Sequence, residues 1–150
     1  MAPDFDRMTA LFLDLDGTLL EIAATPETVV VPPALPALLD HLRTLLGGAL
    51  AIISGRSIVT IDRLLKPFKS AAAGEHGVGL RFDDGTTEEM PAGLAVPEAW
   101  RDSLRTLTDR WPGILVEPKE HGCAVHYRLA PERHDDVWKA VRTLVPDDHP

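Results

Sequence analysis

The sequence predicts an α/β protein: a doubly wound parallel-sheet layer, then a smaller α+β unit. Three observations carry this. Apolar runs at residues 10–15, 49–53 and 71–73 each end in a polar, glycine-containing turn. Between them lie two segments with helical spacing, and strand–helix alternation of this kind folds into a parallel sheet. After Gly77 the texture changes to two strand pairs, each followed by an amphipathic segment.

Residues 1–9 are a polar lead-in, and residues 10–15 are the first strand. Its apolar run, Leu11-Phe-Leu-Asp-Leu, reads as a strand buried on both faces. Residues 16–32 form a loop too long for a simple connection, and loops of that length are often functional. A helix is expected over residues 34–46. Leu35, Leu38, Leu39, Leu42, Leu45 and Leu46 give it an apolar face, prolines precede it, and Gly47-Gly48 stop it. The strand at 49–53 leads into a second helix carrying Ile58, Ile61, Leu64 and Leu65, ended by Lys66-Pro67.

Residues 78–90 read as a hairpin turning at Asp84-Gly85. A helix follows over 97–111, then a hairpin of 114–119 and 123–129, then a helix over 132–145. The domain boundary is placed near 77–79, giving units 1–77 and 78–150. Trp100, Trp111 and Trp138 sit on apolar helical stripes and are read as core. Asp135 and Asp136 suit the start of the last helix, and Asp147-Asp148 are read as tail.

Composition narrows the function classes. Of 150 residues, 45% are apolar, enough for a core, and 25% are charged, which argues against disorder. A net charge of −8 argues against non-specific binding to nucleic acid or to an anionic membrane surface. The single Cys123 excludes an internal disulfide and makes a reducing compartment the default. No secretory leader is read at the N-terminus, and no apolar run approaches the ~20 residues of a membrane helix. The expectation is a cytoplasmic protein, with oligomeric state left open.

The chemistry concentrates at strand ends. Asp14 and Asp16 stand two residues apart where the first strand runs out, ahead of Gly17 and Thr18. Carboxylates there are costly unless a metal or a phosphorylated substrate compensates them. With a divalent cation both can ionise, one attacking phosphorus while the other handles the leaving-group proton. The plainer alternative is a solvated strand end with an Asp-Gly turn. The full Asp-x-Asp-Gly-Thr pattern after an apolar strand favours the functional reading.

At the second strand end, Ser54-Gly55-Arg56-Ser57 opens a helix, so backbone N–H groups and a hydroxyl make an anion site. An N-cap role for Ser57, with Gly55 making the turn, is compatible with this. In the second hairpin Glu117, Lys119, His126 and Arg128 can share a face. By pattern alone this is a solvated sheet face. His121, Cys123 and His126 match no zinc spacing.

Asp14-Leu-Asp16-Gly-Thr18-Leu, followed by Ile-Ile-Ser54-Gly-Arg56, resembles the first two motifs of the haloacid-dehalogenase superfamily of phosphohydrolases. Ala73-Gly-Glu-His-Gly77 and Val116-Glu-Pro-Lys-Glu-His-Gly-Cys-Ala-Val-His-Tyr-Arg128 resemble the trehalose-6-phosphate phosphatase family. The resemblance spans residues 10 to about 145. It implies a partial Rossmann-like core of that superfamily with an inserted α+β cap, and a Mg²⁺-dependent hydrolysis of trehalose 6-phosphate. Asp14 would be the nucleophile and Asp16 the acid and base. The Asp14 carboxylate and the Asp16 main-chain carbonyl would hold Mg²⁺, and Thr18 would steady the loop beside the phosphate. Ser54 and Gly55 would bind phosphate oxygens, and Arg56 would contact sugar or phosphate. Glu117, Lys119 and Arg128 would contact sugar hydroxyls. The family pattern continues with a phosphate-holding lysine and a Gly-Asp-Asp segment that this sequence lacks. Competing expectations are the same chemistry on another sugar phosphate, or a non-catalytic sugar-phosphate-binding module.

Overall fold

The computed structural model describes residues 8–89, 95–119 and 121–145. The chain divides into two compact units, Met1–Met90 and Pro91–Pro150. In the first, β1 (Leu11–Asp14), α1 (Leu35–Leu45), β2 (Leu50–Ile53), α2 (Ile58–Leu65) and β3 (Ala71–Gly74) alternate as expected. The strands β4 (Gly79–Arg81) and β5 (Thr87–Glu89) complete a five-stranded sheet in the order β1-β2-β3-β4-β5. The β1–β2 and β2–β3 pairs are parallel, and the β3–β4 and β4–β5 pairs antiparallel. The α/β class is the one observed, with a mixed five-stranded sheet.

Two expectations are corrected here. The hairpin of β4 and β5 belongs to the first sheet, so a boundary at 77–79 cuts through it. The reason is non-local: β4 takes the free edge of β3, with Ala73 opposite Leu80 and Gly74 opposite Gly79. Arg81 fastens the junction with a fork of bonds to Asp62 (2.7 and 2.9 Å) and a bond to the Ser70 carbonyl. Second, β1 is not buried on both faces. Leu11 and Leu13 pack with Leu50, Ile52 and Ala72 against Leu39, Leu46, Ile61 and Leu65. Phe12, on the opposite face, is 69% exposed. Right-handed crossovers between strands laid side by side in chain order put both helices on one face, so the layer is singly rather than doubly wound within this unit.

The helices follow their local signals. Pro36 stands in the first turn of α1, and Gly47 and Gly48, both at positive φ, carry the chain away from its end. Leu35 and Leu39 are the buried stripe, whereas Leu38 and Leu45 are exposed. Ser57 caps α2, accepting a bond from the Thr60 N–H at 3.3 Å.

The second unit contains α3 (Glu98–Arg110), the two-stranded antiparallel sheet of β6 (Leu115–Pro118) and β7 (Cys123–His126), and α4 (His134–Leu144). Leu104, Leu107, Ile114, Ala130 and Val137 form its core, with Trp111, Val116, Cys123 and Val125 packed around it. Trp138 was expected in a core but is 58% exposed, because α4 turns Val137 inward instead. Asp135 and Asp136 occupy the first turn of α4 as anticipated. Asp147 and Asp148 lie outside the described residues. No described helix is long and apolar enough to cross a membrane.

Candidate active site

The parallel pairing of β1 and β2 sets Asp14 opposite Ile53, so the turns beginning at Leu15 and Ser54 leave adjacent strands at the same end. Ligands of open parallel sheets bind beyond these carboxyl ends. The strand stops at Asp14, so strand alternation does not align the two aspartates. A tight knot follows instead. Gly17 sits at φ +90°, its N–H donating to the Leu20 carbonyl, while the N–H groups of Leu19 and Leu20 both reach the Leu15 carbonyl. Leu15 and Leu20 anchor the knot in the core. The turn folds Thr18 back, and its hydroxyl donates to Asp14 Oδ2 at 2.9 Å.

Asp16 points to Arg56. The guanidinium grips both carboxylate oxygens, Nε to Oδ2 at 2.7 Å and Nη2 to Oδ1 at 2.8 Å, and a third donor reaches the Pro26 carbonyl. The Arg56 side chain is only 10% exposed and that of Asp16 34%. Such a fork fixes direction as well as charge. Arg56, expected against sugar or phosphate, reaches Asp16 and the Pro26 carbonyl of the 16–32 loop from a largely buried stem.

Ser54 is buried; its N–H donates to the Ala73 carbonyl, and its hydroxyl accepts from the Arg56 N–H at 3.1 Å. The turn dovetails with the one after β3. The N–H of Glu75 bonds the Arg56 carbonyl, and that of His76 bonds the Ser54 carbonyl. Glu75 and His76 both adopt positive φ, +48° and +60°, each costing about 1–2 kcal/mol for a non-glycine residue. Backbone outliers of this kind gather at functional sites. Gly55 does not need positive φ. A Cβ there would meet His76 Nε2 at 2.7 Å, so its role is to leave space for the imidazole. Sequence reading missed both this packing and the Arg56–Asp16 pair. The Gly-Glu-His-Gly run was the only local sign of an unusual turn.

In the second unit the β6–β7 register pairs Glu117 with Ala124 and Leu115 with His126. Glu117 and His126 are therefore diagonal neighbours on the face opposite Val116, Cys123 and Val125. Lys119 Nζ lies 2.6 Å from Glu117 Oε1, and His126 Nε2 lies 2.8 Å from Oε2. Burial works against the Glu117 charge, but these partners hold its carboxyl below the ordinary range. Burial pushes the Cys123 thiol up. Arg128 follows β7 in an exposed turn. Arg101, from α3, donates to the Lys119 carbonyl at 2.6 Å and steadies the hairpin end.

The described residues contain no group of three or more His, Cys, Asp or Glu side chains suited to a metal. What the first turn offers is the Asp14 carboxylate and main-chain oxygens, since the Asp16 carboxylate is tied to Arg56. Hard oxygen donors in small number fit Mg²⁺, which keeps several waters and binds through one or two carboxylates plus substrate phosphate.

Comparison with known proteins agrees with this geometry. A family profile described as Trehalose-phosphatase matches residues 12–150. A probable trehalose-phosphate phosphatase of Sinorhizobium fredii is 47% identical over 133 residues, covering 89% of this chain and 49% of that protein. The trehalose-6-phosphate phosphatase of Escherichia coli is 41% identical over 142 residues, covering 95% and 53%. The chain thus spans about half the length of these relatives. Among solved structures, the C-terminal domain of Candida albicans trehalose-6-phosphate phosphatase superposes with a TM-score of 0.76 at 24% identity. That match covers 92% of this chain and 49% of the other, and it speaks to fold alone. With the profile matching nearly its whole length and relatives above 40% identity, the chain belongs to the trehalose-phosphatase family.

Proposed function

We propose that this chain is part of a Mg²⁺-dependent phosphatase that hydrolyses trehalose 6-phosphate to trehalose and phosphate through an aspartyl-phosphate. The observation that carries the reading is the meeting of two turns at one end of a parallel sheet. The first presents Asp14 with its Thr18 bond, the second presents Ser54, and Arg56 joins them through Asp16. Phosphoryl transfer needs positioning and charge neutralisation above all, which such an arrangement suits.

In this reading an Asp14 oxygen attacks phosphorus as the bond from phosphorus to the sugar oxygen breaks. The Asp16 carboxyl gives its proton to that leaving oxygen. Asp16 then takes a proton from water as the water oxygen attacks phosphorus, and the bond to Asp14 breaks to release phosphate. Arg56 holds Asp16 as a carboxylate, so Asp16 turns from the guanidinium and takes up a proton from solvent before delivering it to the leaving oxygen, and Arg56 acts by positioning. Thr18 orients Asp14, while Ser54 and the Gly55 N–H bind phosphate oxygens. The Asp14 carboxylate and the Asp16 main-chain carbonyl would hold Mg²⁺, which supplies neutralisation of the phosphate charge when bound. Glu117, Lys119 and Arg128 bind sugar hydroxyls; a face that both accepts and donates suits a carbohydrate. In the same reading the second unit, Pro91–Pro150, is the cap. A reducing, cytoplasmic setting accords with the lone, partly buried Cys123.

The test is phosphate release with Mg²⁺ from trehalose 6-phosphate and from a panel including sucrose and mannosylglycerate phosphates. Selective turnover of the trehalose ester, lost in Asp14→Asn, is expected. Equal turnover across the panel would overturn the substrate assignment. Tight binding without turnover would favour the non-catalytic module instead.

A further inference from the structure

We infer that His126 is a further sugar-contacting residue, its Nδ1 accepting a hydroxyl hydrogen from the carbohydrate that Glu117 and Lys119 bind. The inference rests on the sugar-binding role proposed above for this hairpin.

The argument starts from the tautomer. Glu117 is ionised and can only accept, so the 2.8 Å contact to Oε2 requires the hydrogen on His126 Nε2. In neutral imidazole the other nitrogen then carries a lone pair. Nδ1 has no hydrogen-bond partner among the described residues, and the His126 side chain is 38% exposed. The hairpin register fixes where this acceptor lies. His126 shares the outer face with Glu117, whereas Val116, Cys123 and Val125 take the face packed into the core. The ring therefore cannot turn Nδ1 inward without breaking the bond to Glu117.

The chemistry fits a polyhydroxylated ligand. Lys119 offers donors only and Glu117 acceptors only, and each already spends a position on the other. A neutral acceptor beside this pair reads a hydroxyl hydrogen without adding charge. It also explains why Glu117 is held on both oxygens: the carboxylate is a fixed post that orients the imidazole as well as a ligand in its own right.

The experiment uses the 150-residue chain with Mg²⁺ at about pH 8. Ring ¹⁵N resonances of His126 are followed on adding trehalose 6-phosphate, and separately trehalose, with dissociation constants from calorimetry. We expect an Nε2–H tautomer in the free chain and a shift at Nδ1 on binding. His126→Lys retains a donor toward Glu117 but has no acceptor, so its dissociation constant rises about tenfold, the weight of one hydrogen bond. Binding with Nδ1 unmoved, or a His126→Lys variant that binds as the wild type does, would overturn the role of His126 while leaving the functional reading intact. No binding of either ligand by the wild-type chain would overturn that reading, and the inference with it.

Discussion

A methyl group added at Gly74 tests how the two turns of the candidate site are held. Gly74 ends β3 in ordinary extended geometry, φ −104° and ψ 160°, so alanine meets no backbone conflict of its own. Its Cβ, however, would lie 2.9 Å from the Ile58 amide nitrogen and 3.0 Å from the Arg56 carbonyl oxygen. Ordinary contact begins at 3.4 Å, so the backbone of the 56–58 segment must retreat by roughly half an ångström. That segment carries the Arg56 carbonyl bonded by Glu75 and the first turn of α2, neither of which can move as a side chain does. Overpacking of this kind costs about 1–3 kcal/mol. The loss of chain entropy in the unfolded state returns about 0.4–1 kcal/mol. Gly74→Ala should therefore destabilise the chain by about 1–2 kcal/mol, read as a lowered midpoint at constant slope in urea unfolding followed by far-ultraviolet circular dichroism. The control is Gly55→Ala. Its clash is with the tip of the exposed His76 ring, which can swing away, so its cost should stay below about 1 kcal/mol. Equal stability of Gly74→Ala and wild type, or a larger loss in Gly55→Ala, would refute the account of how the turns interlock.

Two further outcomes follow from the ion pairs. A double-mutant cycle between Asp16→Asn and Arg56→Met should give a coupling of about 1–2 kcal/mol in urea unfolding, limited by the partial exposure of Asp16; a coupling below about 0.3 kcal/mol would show the fork to be idle. Burial opposes ionisation of Asp62, but Arg81 and Lys69 outweigh it and lower its pKa from the ordinary 3.8. A depressed folded-state value means this stabilisation is complete above pH 3.8 and is lost as pH falls through the lower folded value. Arg81→Met should therefore be less stable than wild type at neutral pH. The gap should narrow below pH 3.8, and a gap that widens there would contradict the sign of the shift.

The comparison of residues with geometry has a consistent pattern. Features governed by a few neighbouring residues were legible. The Ser57 cap spans three residues and follows from cap chemistry. Helix limits were read to within a few residues because glycine and proline end helices for local reasons. The hairpin face of Glu117 and His126 followed from strand alternation, although its register did not.

What composition and order determined is a strand–helix alternation with two acidic and hydroxyl-bearing strand ends, since hydrophobic period and turn residues are written into adjacent positions. Only tertiary structure decided that β4 joins β3, that both helices share one face, and that Arg56 closes on Asp16 across 40 residues. Strand edges offer the same backbone donors and acceptors to any partner, and a long cationic side chain reaches any carboxylate within several ångströms. Their choice is made by which packing buries the most apolar surface, a property of the whole chain and of no single stretch of it.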